Sequence, residues 1–306
     1  MVLDAQSVAN MSQILILSDG RMGHLNQSIA FARHLGKAYD IVEVRFKNKF
    51  LKTVSYLFDI LGIKSKVLFH TQVNKEYEMV VGAGSTTYYA VKVLAAAMQA
   101  KSITMMLPKG YRFDFDTIFA QSHDKPPKQD NIIEIPANFS YIEPKGLYAA
   151  KRKSIGIVIG GDNKIYTMLK EKLQTQLDFI VKHYQGYEIA ITTSPRTSET
   201  IERLIESYHF EYEVIYSENP INPIPDFLDL CETVFITGDS TSMISEAVAY
   251  GESNVVILPL ESQEENKFTR FIDALEKEAY LHIFDGTIKN KNKKIDFRTY
   301  LKEVNL

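Results

Sequence analysis

Apolar residues arrive along this chain in short unbroken runs, each followed by a turn rich in Gly, Ser and Thr and then by a longer stretch with apolar residues at helical spacing. Short runs without internal alternation predict strands buried on both faces, and their exchange with helical stretches predicts parallel sheets covered by helices. One series of strands is expected at 13–17, 39–45, 79–82, 102–107, 117–120 and 132–135, and a second at 154–159, 188–192, 212–216, 233–237 and 254–258, with helices such as 165–184 and 198–207 between them. The polar segment 141–153, which contains Pro144 and Gly146, separates the two series and reads as a linker. The expected organisation is therefore α/β: a Rossmann-like unit over 11–143, a second over 154–285, and a tail over 286–306. Within the tail, 289–294 (KNKNKK) reads as a solvated charge run. Two such units facing each other would form a cleft at the carboxyl ends of both sheets, where α/β folds hold ligands.

Composition narrows the class. A chain of 306 residues with 45% hydrophobic content fills two cores. No apolar run approaches the roughly 20 residues that span a bilayer. The first ten residues lack the pattern of a signal peptide, so a cytoplasmic protein is expected. Met11 stands directly before SQILILSDG, and residues 1–10 read as an upstream extension. A net charge of −3 argues against a nucleic-acid partner. The lone Cys231 reads as a small buried hydrophobe, and the histidines, among them His34, His70, His123 and His209, lack metal-ligand spacing. Asp114 and Asp116 spell DFD ahead of a strand and read as a solvated pair, so no metal is expected.

The candidate chemistry sits in the turns after strands. In TGDSTSMISEAVAYG (237–251), Asp239, Ser240, Thr241, Ser242 and Met243 lie between a strand and a helix expected to carry Ser245 and Glu246 at its start. Unpaired backbone N–H groups at such a turn suit a phosphate. Gly160, Gly161 and Asp162 follow the strand 154–159 and would let a diphosphate approach the backbone. Ser194 and Arg196 follow 188–192, where a guanidinium can clamp a phosphate, and Ser198 reads as an N-cap with Glu199 and Glu202 in its first turn. In the first series, SDGRMGHLNQ (18–27) supplies Asp19, Gly23, His24, Asn26 and Gln27, and VGAGSTT (81–87) supplies Gly84, Ser85 and Thr86. The latter groups form the candidate acceptor side. His24 has the titration range of a general base, and Asp19 is the nearest carboxylate to orient it or replace it.

The second half resembles the donor-binding domain of GT-B glycosyltransferases, closest in layout to the peptidoglycan enzyme that adds N-acetylglucosamine to lipid-linked muramyl peptide. Ser245, Glu246 and Gly251 match that pattern, and the resemblance implies that Glu246 contacts the donor ribose. Gly23 and His24 match the turn that opens the first helix of that enzyme, in its catalytic-base region. Glu264, Glu265 and Asn266 stand where related enzymes read donor-sugar hydroxyls. The set SDGRMGHLNQ, VGAGSTT, IGGDNKIY, TTSPRTSE, NPI and TGDSTSMISEA is more similar still to the mitochondrial-fission "elongated mitochondria" family, from Gln13 to about Phe284. The chain departs from it in carrying Pro195 and a single Arg196 where two adjacent arginines are usual. The resemblance implies a metal-independent, inverting glycosyltransferase without a cofactor. Its substrates would be a nucleotide-sugar donor, a UDP-sugar being favoured, and a lipid-linked or envelope glycan acceptor. A non-hydrolysing nucleotide-sugar 2-epimerase and a non-catalytic scaffold of the same fold are the alternatives.

Segment 46–69 holds five lysines, one Asp and several aromatic residues. Two readings are open for it: a basic amphipathic helix lying on the inner face of an anionic membrane, or a helix packed on the first sheet with exposed lysines.

Overall fold

The computed structural model describes residues 13–262, 266–289, 292–302 and 304. The expected upstream extension and Glu264 and Glu265 lie outside the described residues. The chain divides into two compact units, one running to Tyr141 and resuming at Asp296, the other Ile142–Ile295.

The first unit runs β1 (Ile14–Ser18), α1 (Met22–His34), β2 (Tyr39–Glu43), β3 (Arg45–Phe46), α2 (Lys49–Ile60), β4 (Phe69–His70), β5 (Met79–Gly82), α3 (Tyr88–Met98), β6 (Lys101–Thr104), β7 (Thr117–Gln121) and β8 (Ile132–Ile135). Six strands form a wholly parallel sheet in the order β2-β1-β5-β6-β7-β8, with Leu17 of β1 opposite Val42 on one side and Gly82 on the other. Strand residues Ile14–Leu17, Val80, Val81, Ile118 and Phe119 are buried, which explains runs without polar alternation. β3 and β4 make a separate antiparallel ribbon beside α2.

The second unit runs β9 (Ser154–Val158), β10 (Tyr166–Thr167), α4 (Lys170–His183), β11 (Glu188–Thr192), α5 (Glu199–Glu206), β12 (Tyr212–Val214), α6 (Ile224–Leu230), β13 (Thr233–Thr237), α7 (Thr241–Ala249), β14 (Asn254–Leu258), β15 (Glu261–Ser262), α8 (Lys267–Lys277) and β16 (His282–Ile283). The sheet is again parallel, in the order β12-β11-β9-β13-β14-β16. A final helix, α9 (Phe297–Leu301), belongs to the first unit, where Phe297 stacks on Phe139 with ring centroids 4.5 Å apart.

Each sheet reverses its strand order at one place, and in open α/β sheets the crevice at the carboxyl ends of the strands opens there. In the first unit the reversal lies between β1 and β5, and in the second between β9 and β13. All four turns that follow these strands carry candidate site residues.

Several boundaries differ from expectation for identifiable reasons. The helix expected from 165 begins at Lys170, because Asn163 Oδ1 accepts the N–H groups of Ile165 and Tyr166 and Asp162 Oδ1 accepts that of Met168 at 2.7 Å. These side chains hold the backbone extended, and Tyr166 and Thr167 pair with β15 instead. β6 ends at Thr104, and the apolar residues Met105 and Leu107 are buried beyond the strand ahead of Pro108. α7 begins at Thr241, so Ser245 and Glu246 stand in its second turn rather than at its start. The charge run 289–294 is not wholly solvated: Lys294 is half-buried, donates to the Ala247 carbonyl at 2.7 Å, and is pushed down to about 8 by desolvation. Asp114 and Asp116 are both exposed, as expected, and each is also tied down by neighbours. Asp116 accepts the N–H and hydroxyl of Ser102, and Asp114 binds Lys92 and Arg112. Cys231 is buried, as expected, and desolvation pushes its thiol up to about 11.

Candidate functional site

At the reversal in the first unit, the turns after β1 and β5 close on each other. His24 lies in the first turn of α1, and its Nδ1 is 2.9 Å from Asp19 Oδ2. The other Asp19 oxygen accepts the Arg21 N–H at 3.2 Å, which fixes the carboxylate. Asp19 is thus almost closed off, with 4% side-chain exposure, whereas His24 keeps 20%. A ring whose Nδ1 donates to a carboxylate presents Nε2 as the nitrogen able to accept a proton. Gly84 backs the pair: it has φ +89, and a Cβ there would lie 2.4 Å from His24 Nδ1 and 2.9 Å from Asp19 Oδ2. Two motifs far apart in sequence therefore meet because β1 and β5 are neighbours.

The remaining residues of the expected acceptor side divide. Gly23 and Asn26 are exposed and Thr86 is half-buried. Gln27 is buried, donates to the Gly23 carbonyl and accepts from Gln121 at 3.2 Å, so its amide is spent inside the unit. Ser85 accepts from Lys52 Nζ at 2.9 Å. Lys52 reaches this turn from α2, a contact that sequence spacing gave no means to see.

At the reversal in the second unit, the chain fills its own turns. A Cβ on Gly160 would lie 2.1 Å from Asp239 Oδ1, and one on Gly161 would lie 1.9 Å from the Arg196 carbonyl oxygen. The two glycines are required by the approach of the chain itself. Asp239, whose side chain is 0% exposed, accepts from Thr237 Oγ1 at 2.6 Å, from the Gly161 N–H at 3.2 Å and from the Arg196 guanidinium at 2.6 Å. Arg196 also donates to the Gly161 carbonyl. Its charge is thereby balanced at short range. The N-cap of α7 is not Asp239 but Ser240, whose hydroxyl accepts the Met243 N–H. Asp162 is spent on Met168, and Ser194 Oγ accepts the Arg196 N–H and meets Thr197 Oγ1. Ser198 occupies the N-cap position of α5, but its side chain makes no capping bond. Glu199 and Glu202 in the first turn of that helix leave the Ser194–Arg196 turn poorly placed for an anion.

What stays open in the second unit is the start of α7. Its first turn carries no acidic residue, and its first N–H groups have no acceptor one turn earlier in the helix. Ser242, Met243 and Glu246 share a face by their three- and four-residue spacing, opposite the buried Ile244, Ala247 and Val248. Glu246 has no hydrogen-bond or ion-pair partner among the described residues, and desolvation alone pushes its carboxyl up to about 7. Gly251, with φ +72, ends this region, and a Cβ there would strike the Leu228 carbonyl at 1.9 Å. Thr237, Asn163 and Thr197 seal the turns, with Thr197 Oγ1 donating to the Gly160 carbonyl at 2.6 Å. All three stand inside the quoted motifs IGGDNKIY, TTSPRTSE and TGDSTSMISEA, but nothing in the sequence marks them as the groups that seal the turns.

Among the described residues no group of three His, Cys, Asp or Glu side chains is arranged to hold a metal ion. No helix of the described residues is long and apolar enough to cross a membrane.

A curated relative is an uncharacterised protein, RP120, of Rickettsia prowazekii (strain Madrid E), 22% identical, with 90% of this chain and 91% of the relative covered. Solved structures similar to the chain include Acinetobacter baumannii MurG, with TM-score 0.48 and 11% identity over 90% of this chain and 86% of that one. Escherichia coli ADP-heptose LPS heptosyltransferase II gives TM-score 0.47 and 9% identity over 96% and 97%. The family model for mitochondrial fission ELM1 matches residues 22–299, nearly the whole chain, and the chain belongs to that family.

Proposed function

We propose that the chain is a glycosyltransferase that binds a nucleotide-sugar donor on its second unit and activates an acceptor hydroxyl with His24 of its first. The observation that carries this reading is Glu246: a half-buried carboxylate with no partner among the described residues, one turn into α7 on the same face as Ser242. A buried carboxylate without a hydrogen-bond donor is costly, and a ribose diol supplies two donors at once. The diphosphate of such a ligand would lie at the N-terminus of α7, held by the backbone N–H groups of the Ser240–Ser242 turn rather than by Arg196, whose charge is taken by Asp239. Arg196 and Asp239 then act by fixing the Gly160–Gly161 turn.

In the first unit, Asp19 orients His24 so that Nε2 takes the proton of the attacking hydroxyl. Lys52, held against Ser85, brings a positive charge to the same turn. The donor is best read as a UDP-sugar and the acceptor as a lipid-linked or envelope glycan, on the resemblance alone. The reading is tested by thermal melting of the protein with UDP, GDP and CMP and with their sugar conjugates. A ligand specific to the folded state raises the midpoint with its concentration over Kd. Stabilisation by one nucleoside diphosphate, lost in Glu246→Ala and kept in His24→Ala, is the expected result. No shift with any of them would remove the donor site.

A further inference from the structure

The second helix of the first unit is apolar on two faces: Leu51, Val54 and Phe58 pack on the core of the unit, and a second apolar stripe faces outward. Of the residues of α2, those buried are Ser55 and Asp59, while Phe50 is 72%, Leu57 54% and Ile60 64% exposed. The apolar stripe continues past the helix through Leu61 and Ile63 to Val67, which is 68% exposed in the short turn that packs on α2. The spacing 50, 57, 60, 61 puts the helical members on one face. A helix normally turns such a stripe to the core.

The orientation of this outward stripe has a cause inside the unit. Asp59 is drawn inward by the buried ammonium of Lys92, at 2.6 Å, and by the Arg112 N–H, at 2.7 Å. Ser55 hydrogen-bonds to Tyr111 at 2.8 Å, and Lys52 to Ser85. These polar contacts fix which face looks outward.

They also remove the only acid from it. Between Glu43 and Glu76 the sequence holds a single carboxylate, Asp59, and the network buries it. Lys49, Lys64 and Lys66 are exposed beside Phe50, Ile63 and Val67, so cations and no carboxylate from this segment border the apolar stripe. Exposed apolar side chains with lysines at their edge match the chemistry of an anionic phospholipid surface, where the side chains enter the acyl boundary and the ammonium groups meet the headgroups.

We infer that the face built by Phe50, Leu57, Ile60, Leu61, Ile63 and Val67, bordered by Lys49, Lys64 and Lys66, docks the first unit peripherally on an anionic lipid bilayer. The inference is independent of the donor chemistry proposed above. Lys52 is excluded from the docking face because it points to Ser85.

The test is co-sedimentation of the full chain with sucrose-loaded vesicles of phosphatidylcholine, with and without about one-third phosphatidylglycerol. The protein is expected to pellet with the anionic vesicles, much less with the neutral ones, and less as salt rises. Lys49→Glu/Lys64→Glu/Lys66→Glu should weaken binding at least tenfold, since each lysine at such a surface contributes roughly fivefold. Leu57→Ser/Ile60→Ser should abolish it, and because these side chains are exposed the variant should melt as the parent does. Nucleoside-diphosphate binding by both variants should be unchanged, which separates a failure here from a failure of the donor site. The inference is overturned if the parent stays in the supernatant with anionic vesicles, if the lysine variant pellets equally, or if the parent self-associates in sedimentation velocity and Leu57→Ser/Ile60→Ser makes it monomeric.

Discussion

The two order-reversal points use the same sequence plan, a buried strand, a Gly/Ser-rich turn and a helix, and reach opposite ends. At the first, the chain spends a carboxylate to aim a titratable ring: Asp19 is closed off and His24 remains partly open. At the second, the charged groups of the turns cancel one another. Asp239 and Arg196 are joined at 2.6 Å, their backbone neighbours are hydrogen-bonded, and what remains for a ligand is main-chain N–H and the unpaired Glu246. The first point offers a side chain that can move a proton; the second offers a rigid surface for something anionic with hydroxyl donors. A polar turn after a buried strand thus does not by itself say which of its side chains face outward.

Substitutions that attack one side and spare the other make this contrast measurable. The largest effect is expected for Gly161→Ala, where the new methyl would overlap the Arg196 carbonyl and neither backbone can yield cheaply. The loss should exceed about 4 kcal/mol by chemical denaturation, at the top of the range for single changes. Asp239→Ala should follow at about 2–3 kcal/mol, because it leaves the Gly161 N–H and the Thr237 hydroxyl without their acceptor, while the 41% exposed Arg196 guanidinium can turn to water. A loss below 1 kcal/mol would mean that the second turn is not held by its own charges.

His24→Ala should behave in the opposite way. Its stability should stay within about 1 kcal/mol of the parent, and turnover on any substrate found should fall by about 10²–10⁴. Asp19→Asn should lower kcat by a similar or smaller factor and alter the pH–rate profile.

Glu246 carries a pH signature. Its folded-state carboxyl is raised from 4.5 to about 7, so between these values the folded chain holds a proton that the unfolded chain has released. The contribution to stability is complete below the unfolded value and is lost as pH rises through about 7. Glu246→Gln should therefore be more stable than the parent at pH 8, by up to ~3 kcal/mol, and no more stable at pH 4. Binding of a nucleoside diphosphate should strengthen in the parent as pH rises through 7 and lose that slope in the variant. The smallest contrast lies between two N-cap serines. Ser240→Ala should cost about 1 kcal/mol, and Ser198→Ala, whose hydroxyl caps nothing, a few tenths.

Much of this was legible beforehand, and the exceptions share a cause. Strands such as Met79–Gly82, Glu188–Thr192 and Thr233–Thr237 fall where the unbroken apolar runs put them, because a strand buried on both faces must be apolar throughout. The start of α4 was misplaced because Asp162 and Asn163 bind local backbone, a competition that hydrophobic periodicity does not register. Gly160 and Gly161 show the same limit. Glycine reports that something approaches closely, and the sequence does not say that Asp239 and Arg196 are among what approaches.

The sequence by itself determined two α/β units, the turns that matter, and the residues within them able to carry charge, since these follow from local patterning and residue chemistry. Tertiary structure decided which charges survive. Whether Asp239, Arg196, Gln27 or Asp59 faces a ligand or a neighbour depends on strands and helices distant in the chain. Such a group either finds a partner, as those four do, or stays half-buried with none among the described residues and a raised pKa, as Glu246 does.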